Sequence, residues 1–319
     1  MQTLTLPATD LSTSPLCLGC ANLGVKNTEG EALHLLDAFA AAGGNFLDSA
    51  RVYSNWVPGE LNRSERIIGD WIASRGNREH IILATKGAHP ILGSVDSRLS
   101  REHIDIDLFG SLGTLRVDTI DLYYVHRDEP SRPVADIMDT LHAHQKAGHI
   151  RYYACSNWRP DRIKAAQAYA DSNGMTGFVA NQMRWSLAGM SAGPPKDETM
   201  CAMDPETHTV HRESGLAAIP FGSQAGGYFT KLAEDPVSVA RSGFHNNENQ
   251  SLLLVLEEAA TSLRTTVTAI ALAWLTSQPF VTIPIIGSRN ISQLEDSLSS
   301  TAIDLPDDLV ARLNNAVGL

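Results

Sequence analysis

Eight short apolar runs recur along the chain, and between most of them lie stretches whose apolar residues return every three or four positions. The runs are residues 16–24 (LCLGCANLG), 44–50 (GNFLDSA), 80–86 (HIILATK), 119–125 (TIDLYYV), 149–156 (HIRYYACS), 177–182 (GFVANQ), 216–221 (LAAIPF) and 281–287 (VTIPIIG). A short, nearly continuous apolar run predicts a strand covered on both faces, as in a parallel sheet. Residues 31–43, 63–75, 101–115, 134–148 and 160–172 instead carry one apolar face each, which predicts helices packed on that sheet. Eight strands with helices between them, in 319 residues, predict a single-domain α/β fold over residues 1–319: the eight-stranded parallel (β/α)8 TIM barrel. An open doubly wound sheet should place a G-x-G-x-x-G after its first strand, and the loop after residues 16–24 has none.

Three stretches interrupt the rhythm: 54–62, 187–213 and 230–250, the last leading into a helical pair, SLLLVLEEAATSL and TVTAIALAWLTSQ. Long loops on the catalytic edge of a barrel shape the substrate pocket, so these are the expected substrate loops.

Charge and composition narrow the function. A net charge of −11 supplies no basic surplus for phosphate backbones, which argues against nucleic acid as a partner. The N-terminal MQTLTLPATDLSTSP has no basic stretch followed by an apolar one, and no apolar run is long enough to span a bilayer, so a cytoplasmic protein without membrane contact is expected. Cys17 and Cys20 have C-x-x-C spacing but lie inside an apolar run without a second pair, and with Cys155 and Cys201 they read as free thiols.

The predicted strand ends carry the chemistry. Asp48 ends the second strand and Tyr53 follows in its loop; Lys86 ends the third strand and His126 the fourth. Alone, each reads as a cap, an ion pair or a half-buried polar group. Together they meet at the C-terminal edge, where a barrel does its chemistry. A lysine pointing into the mouth needs a carboxylate, and Asp48 on the neighbouring strand is available.

At these positions the chain resembles the aldo-keto reductase superfamily, whose tetrad is an Asp, a Tyr, a Lys and a His in this order. The resemblance covers nearly the whole chain and includes GHIRYYACSNW (148–158) and ALAWLTSQPFVTIPIIGSRNISQLEDS (271–297). It implies hydride transfer between a nicotinamide cofactor and a small-molecule carbonyl, with Asp48, Tyr53, Lys86 and His126 catalytic. A free phenol of pKa about 10 donates sluggishly near neutrality, so Lys86 is expected to pull Tyr53 down, with Asp48 holding the lysine charged and His126 steadying the carbonyl oxygen.

The resemblance also implies a cofactor site. Ser156, Asn157 and Gln182 match the residues that bind the carboxamide, and Phe221 the aromatic that stacks on the nicotinamide. Gly222, Ser223 and Gln224 stand where Ser-Pro-Leu is commoner, and Gly226, Gly227 and Lys231 match the loop over the pyrophosphate. Gly287, Ser288, Arg289, Gln293, Asp296 and Ser297 match the adenosine segment, with Ser288 and Arg289 suited to a 2′-phosphate, so NADPH/NADP+ is expected over NADH.

Trp56, Trp158 and Trp185, with His89, are expected to line the pocket, suiting a sugar-like or other small polar carbonyl. His142 and His144, two apart on a helix, do not share a face, and His208 and His211 lack a ligand cluster, so no metal is expected. The alternatives are an NAD-dependent sugar or alcohol dehydrogenase on the same fold, and a cofactor-binding sensor of low turnover.

Overall fold

The computed structural model describes residues 1–94, 96–191 and 197–319. A short antiparallel hairpin, β1 (Leu4–Thr5) with β2 (Ser12–Thr13), precedes the sheet. The sheet strands are β3 (Cys17–Gly19), β4 (Phe46–Asp48), β5 (Ile82–Gly87), β6 (Ile120–Val125), β7 (Ile150–Ser156), β8 (Ala180–Gln182), β9 (Ala217–Ala218) and β10 (Ile285–Ile286). They run in the order β10-β3-β4-β5-β6-β7-β8-β9, and every neighbouring pair is parallel. The remaining edge is stitched by the Ile283 N–H to the Ala218 carbonyl (2.9 Å) and the Ile285 N–H to the Pro220 carbonyl (2.9 Å), so the sheet closes into a ring. The fold is the expected (β/α)8 barrel.

The helices are α1 (Glu29–Ala41), α2 (Arg63–Arg75), α3 (Arg101–Leu115), α4 (Val134–Lys146), α5 (Pro160–Ser172), α6 (Pro205–Ser214), α7 (Tyr228–Glu234), α8 (Pro236–Val239), α9 (Asn247–Leu263), α10 (Val267–Thr276), α11 (Ile291–Ser299) and α12 (Asp307–Val317). No helix among the described residues is long and apolar enough to cross a membrane.

Two of the expected loops differ. The 187–213 stretch ends in α6, which Asp204 caps by accepting from the Thr207 N–H (2.7 Å) with Pro205 in its first turn. Its residues 192–196 lie outside the described residues. The 230–250 stretch holds the end of α7, the whole of α8 and the start of α9.

Alternation along the strands positions the site. Phe46, Ala84, Leu122, Tyr124, Ala154 and Ala180 fill the barrel interior, while Leu47, Leu83, Tyr123, Val125 and Cys155 pack outward under the helices. Continuing that alternation turns Asp48, Lys86, His126, Ser156 and Gln182 inward at the C-terminal end. The hairpin stops the opposite end: its Leu6 and Leu11 join the interior cluster, and Asn45, just before β4, is bonded to Ser12 and Ser14. Chemistry is thereby confined to one mouth.

Candidate active site

Lys86 is sealed from solvent, and its ammonium is satisfied entirely by neighbours. Nζ donates to both Asp48 oxygens (2.7 and 2.6 Å), to the Ser49 carbonyl (2.8 Å) and to the Tyr53 hydroxyl (3.0 Å). Burial alone would lower its pKa, but Asp48 and Tyr53 outweigh burial and raise it, so the site holds a fixed cation. Gln182 donates to Asp48 Oδ1 (2.9 Å), which places its amide nitrogen on the tetrad's carboxylate.

Tyr53 is half-buried, and its hydroxyl is the deep end of the side chain, against sealed Lys86. Burial raises its phenol above the ordinary value; Lys86 works downward and Asp48 upward. The net direction is opposite to the depression expected from Lys86, because desolvating a phenolate outweighs one nearby cation already neutralised by Asp48. The phenol therefore holds its proton at neutral pH.

His126 lies edge-on to Tyr53, ring centroids 5.8 Å apart. Its Nδ1 is buried without a partner. A stranded N–H is rarer than a stranded acceptor, which assigns the proton to Nε2. Burial holds this imidazole well below its usual pKa, with Lys86, His89 and Arg127 adding to the effect, so it is neutral.

The expected cofactor residues fall on one side of the mouth. Asn157, at φ +60°, donates to the His126 carbonyl (3.3 Å) and Ser156 Oγ (3.0 Å) and accepts from the Cys201 N–H (3.1 Å). It thus pins Ser156 and the 197–203 segment together. Phe221 lies under the Arg184 guanidinium, 6.0 Å from its ring centre. Gly222, Gly226 and Gly227, together with Ala225, adopt positive φ, so the backbone reverses repeatedly beside Phe221. Lys231 folds back onto the Gly226 carbonyl (2.7 Å). Gln224 bridges the Gly287 N–H (3.2 Å) and Ser297 Oγ (2.9 Å), joining the loop after β9 to the one after β10. Gln293 accepts from the Arg289 N–H (2.9 Å), and Asp296 accepts from Thr266 (2.6 Å), the cap of α10.

Gly287, Ser288 and Arg289 line a cleft with Asn22, Leu23 and Lys26 from the loop after β3. Ser288 Oγ is buried there with no partner. An orphaned hydroxyl in a cleft that two cations, Lys26 and Arg289, also line suits the adenosine phosphate end of a nicotinamide dinucleotide. Sequence reasoning missed Lys26, because nothing in a lone loop lysine marks the cleft wall opposite. Arg184 was also missed; the bridge that pairs it with Phe221 is not visible as a sequence pattern.

Of the expected pocket residues, Trp56 and His89 stay at the mouth. Trp56 is 47% exposed and edge-on to Tyr53 (6.2 Å), and His89 is edge-on to His126 (4.7 Å). Trp158 and Trp185 are corrected. Trp158 is buried against Phe178 with its indole N–H on the Arg127 carbonyl (3.2 Å), and Trp185 packs against Trp274 and Phe280. Both follow mouth-side strands but turn outward into the layer between sheet and helices. His211 is buried too, bonded to the Leu216 carbonyl (2.7 Å).

The Aldo/keto reductase family model matches residues 15–317. The chain is 30% identical to norsolorinic acid reductase stcV of Emericella nidulans, across 98% of this chain and 80% of that protein. It is 31% identical to the uncharacterized oxidoreductase YrpG of Bacillus subtilis, across 97% and 94%. It is 29% identical to the putative aryl-alcohol dehydrogenase AAD14 of Saccharomyces cerevisiae, across 95% and 83%. With a match that spans every barrel strand, the chain belongs to the aldo/keto reductase family and is an NAD(P)H-dependent oxidoreductase.

Proposed function

We propose that this chain reduces an aldehyde or ketone with NADPH, with Tyr53 as the proton donor. The observation that carries the reading is the Lys86 ammonium bonded at once to Asp48 and to the Tyr53 hydroxyl. A nicotinamide, when bound, supplies the hydride. As the carbonyl oxygen gains negative charge, His126 Nε2–H holds it and Tyr53 gives up its proton to it. Lys86 stabilises the phenolate left behind, and Asp48 with Gln182 keeps Lys86 charged and in place. A phenol that retains its proton at neutral pH is in the form that carbonyl reduction needs.

The 2′-phosphate reading of the cofactor is supported by Ser288, Arg289 and Lys26 lining one cleft. For the substrate, the sugar-like expectation loses two of its three tryptophans to the core. What remains at the mouth is Trp56, Tyr53, His89 and His126, a largely aromatic rim. That rim, with relatives named for norsolorinic acid and aryl alcohols, favours an aryl carbonyl.

Tyr53→Phe removes the donor and leaves the binding surfaces. Turnover of an aryl aldehyde should fall by about 10²–10⁴, the usual worth of a positioned acid. The NADPH dissociation constant, read by tryptophan quenching, should hold. Undiminished turnover would sink the role given to Tyr53.

A further inference from the structure

His89 is held far more firmly than a half-exposed loop residue needs. Ala88 before it adopts φ +60°, a left-handed backbone that is strained for a side-chain-bearing residue. The Ala88 N–H donates to Asp107 Oδ2 (2.7 Å), Arg98 bridges both Asp107 oxygens (2.9 and 3.0 Å), and Arg98 also donates to the His89 carbonyl (2.9 Å). One ion pair thus fastens the backbone on both sides of the imidazole.

The ring itself is fixed in one tautomer. Nδ1 lies 2.6 Å from the Pro90 carbonyl, which can only accept, so Nδ1 carries the hydrogen. Nε2 is then a bare lone pair that makes no hydrogen bond to the described residues. Beside it, ring centroids 4.7 Å apart, His126 has the opposite polarity, with its proton on Nε2. The mouth therefore offers one donor and one acceptor side by side. Burial lowers the His89 pKa, Arg127 and Arg98 add to this, and the Pro90 and Asp197 contributions do not reverse it, so the ring stays an acceptor at neutral pH.

We propose that His89 determines specificity by accepting a hydrogen bond from a hydroxyl on the carbon next to the substrate carbonyl, so that α-hydroxy carbonyls are the preferred substrates. This deepens the carbonyl-reduction reading and rests on it. His126 takes the carbonyl oxygen, His89 takes the neighbouring hydroxyl, and the hydroxyl is what an unsubstituted carbonyl lacks.

The test compares kcat/KM for α-hydroxyacetophenone and α-methoxyacetophenone, which withdraw electrons alike but differ in the donor. The wild type should favour the hydroxy ketone by about three- to tenfold, the worth of one net hydrogen bond. His89→Leu should bring the ratio to about one, and His89→Gln, whose amide oxygen accepts, should restore part of it. A ratio cancels any change a variant makes to ketones in general, and NADP+ affinity by tryptophan quenching checks that each variant is folded. A wild-type ratio near one, or a ratio unchanged in His89→Leu, overturns the proposal. Wild-type protein that binds NADPH but turns over neither ketone, nor acetophenone, nor benzaldehyde overturns the carbonyl-reduction reading itself, a result distinct from a flat ratio.

Discussion

Arg289 shows how a single side chain can be read from sequence only in part. Its place after the last strand, in Gly287-Ser288-Arg289, is legible, because strand ends are where barrel loops meet ligands. The wall opposite, with Lys26, is not, since it comes from a loop more than 250 positions away in the chain, whose approach only barrel closure brings about. Arg289→Ala should weaken NADPH by about tenfold or more, the loss of one charge-assisted phosphate contact, and leave NADH within about twofold. Paired fluorescence titrations measure both; equal weakening would make Arg289 a bystander. Asp48, Lys86 and His126 are legible for a stronger reason: alternation along β4, β5 and β6 leaves their inward direction no freedom once the apolar residues below them are buried. Trp158 and Trp185 misled because a tryptophan beyond a strand end has two faces to choose from, and the layer under the helices buries more of it.

Among elements, helices with strong end signals coincide with their sequence readings. α2, α3 and α5 end where Gly76 turns left-handed, begin where Ser100 caps, and open on Pro160, respectively. α6 carries the same kind of signal in Asp204-Pro205 and Gly215, but its Glu, Thr and His residues lack a broad apolar face, so the polar run reads as loop. Helix contacts are where the sequence is least informative. Gly69 on α2 is buried against the end of α3, and a Cβ there would lie 2.8 Å from the carbonyl oxygens of Leu115 and Thr114. Alanine is the better helix former by about 1 kcal/mol, yet backbone carbonyls cannot swing aside as side chains do. Pushing α2 and α3 apart should cost about 1–3 kcal/mol, so Gly69→Ala should be net neutral to destabilising. Urea unfolding measures the balance, and a stabilised variant would show that the two helices separate freely.

For the whole molecule, burial of histidine sets the response to acid. His89, His126, His144, His208 and His211 are all lowered, burial being the first cause in each, and His211 falls to about 4. Unfolding frees each ring to take up a proton near its ordinary value of about 6.5. Between that value and the lower folded one, the unfolded chain binds more protons, so stability must drop as pH falls through that window. Glu65 acts in the opposite sense: burial raises its carboxyl, so the folded state holds a proton there that the unfolded chain releases. It is one group against five histidines. Carboxylates that are lowered, such as Asp37 by its bond to Arg75, lose their contribution only at more acid pH. Urea midpoints should therefore decline steadily from pH 7 to pH 4.5, each titrating histidine adding up to about 1.4 kcal/mol per pH unit to the slope. Because His89 and His126 belong to this set, the same burial that keeps the mouth's donor and acceptor uncharged makes the fold acid-sensitive. A midpoint flat over that range would mean that these imidazoles reach water and charge in the folded state, and that the polarity assigned to the mouth is lost with them.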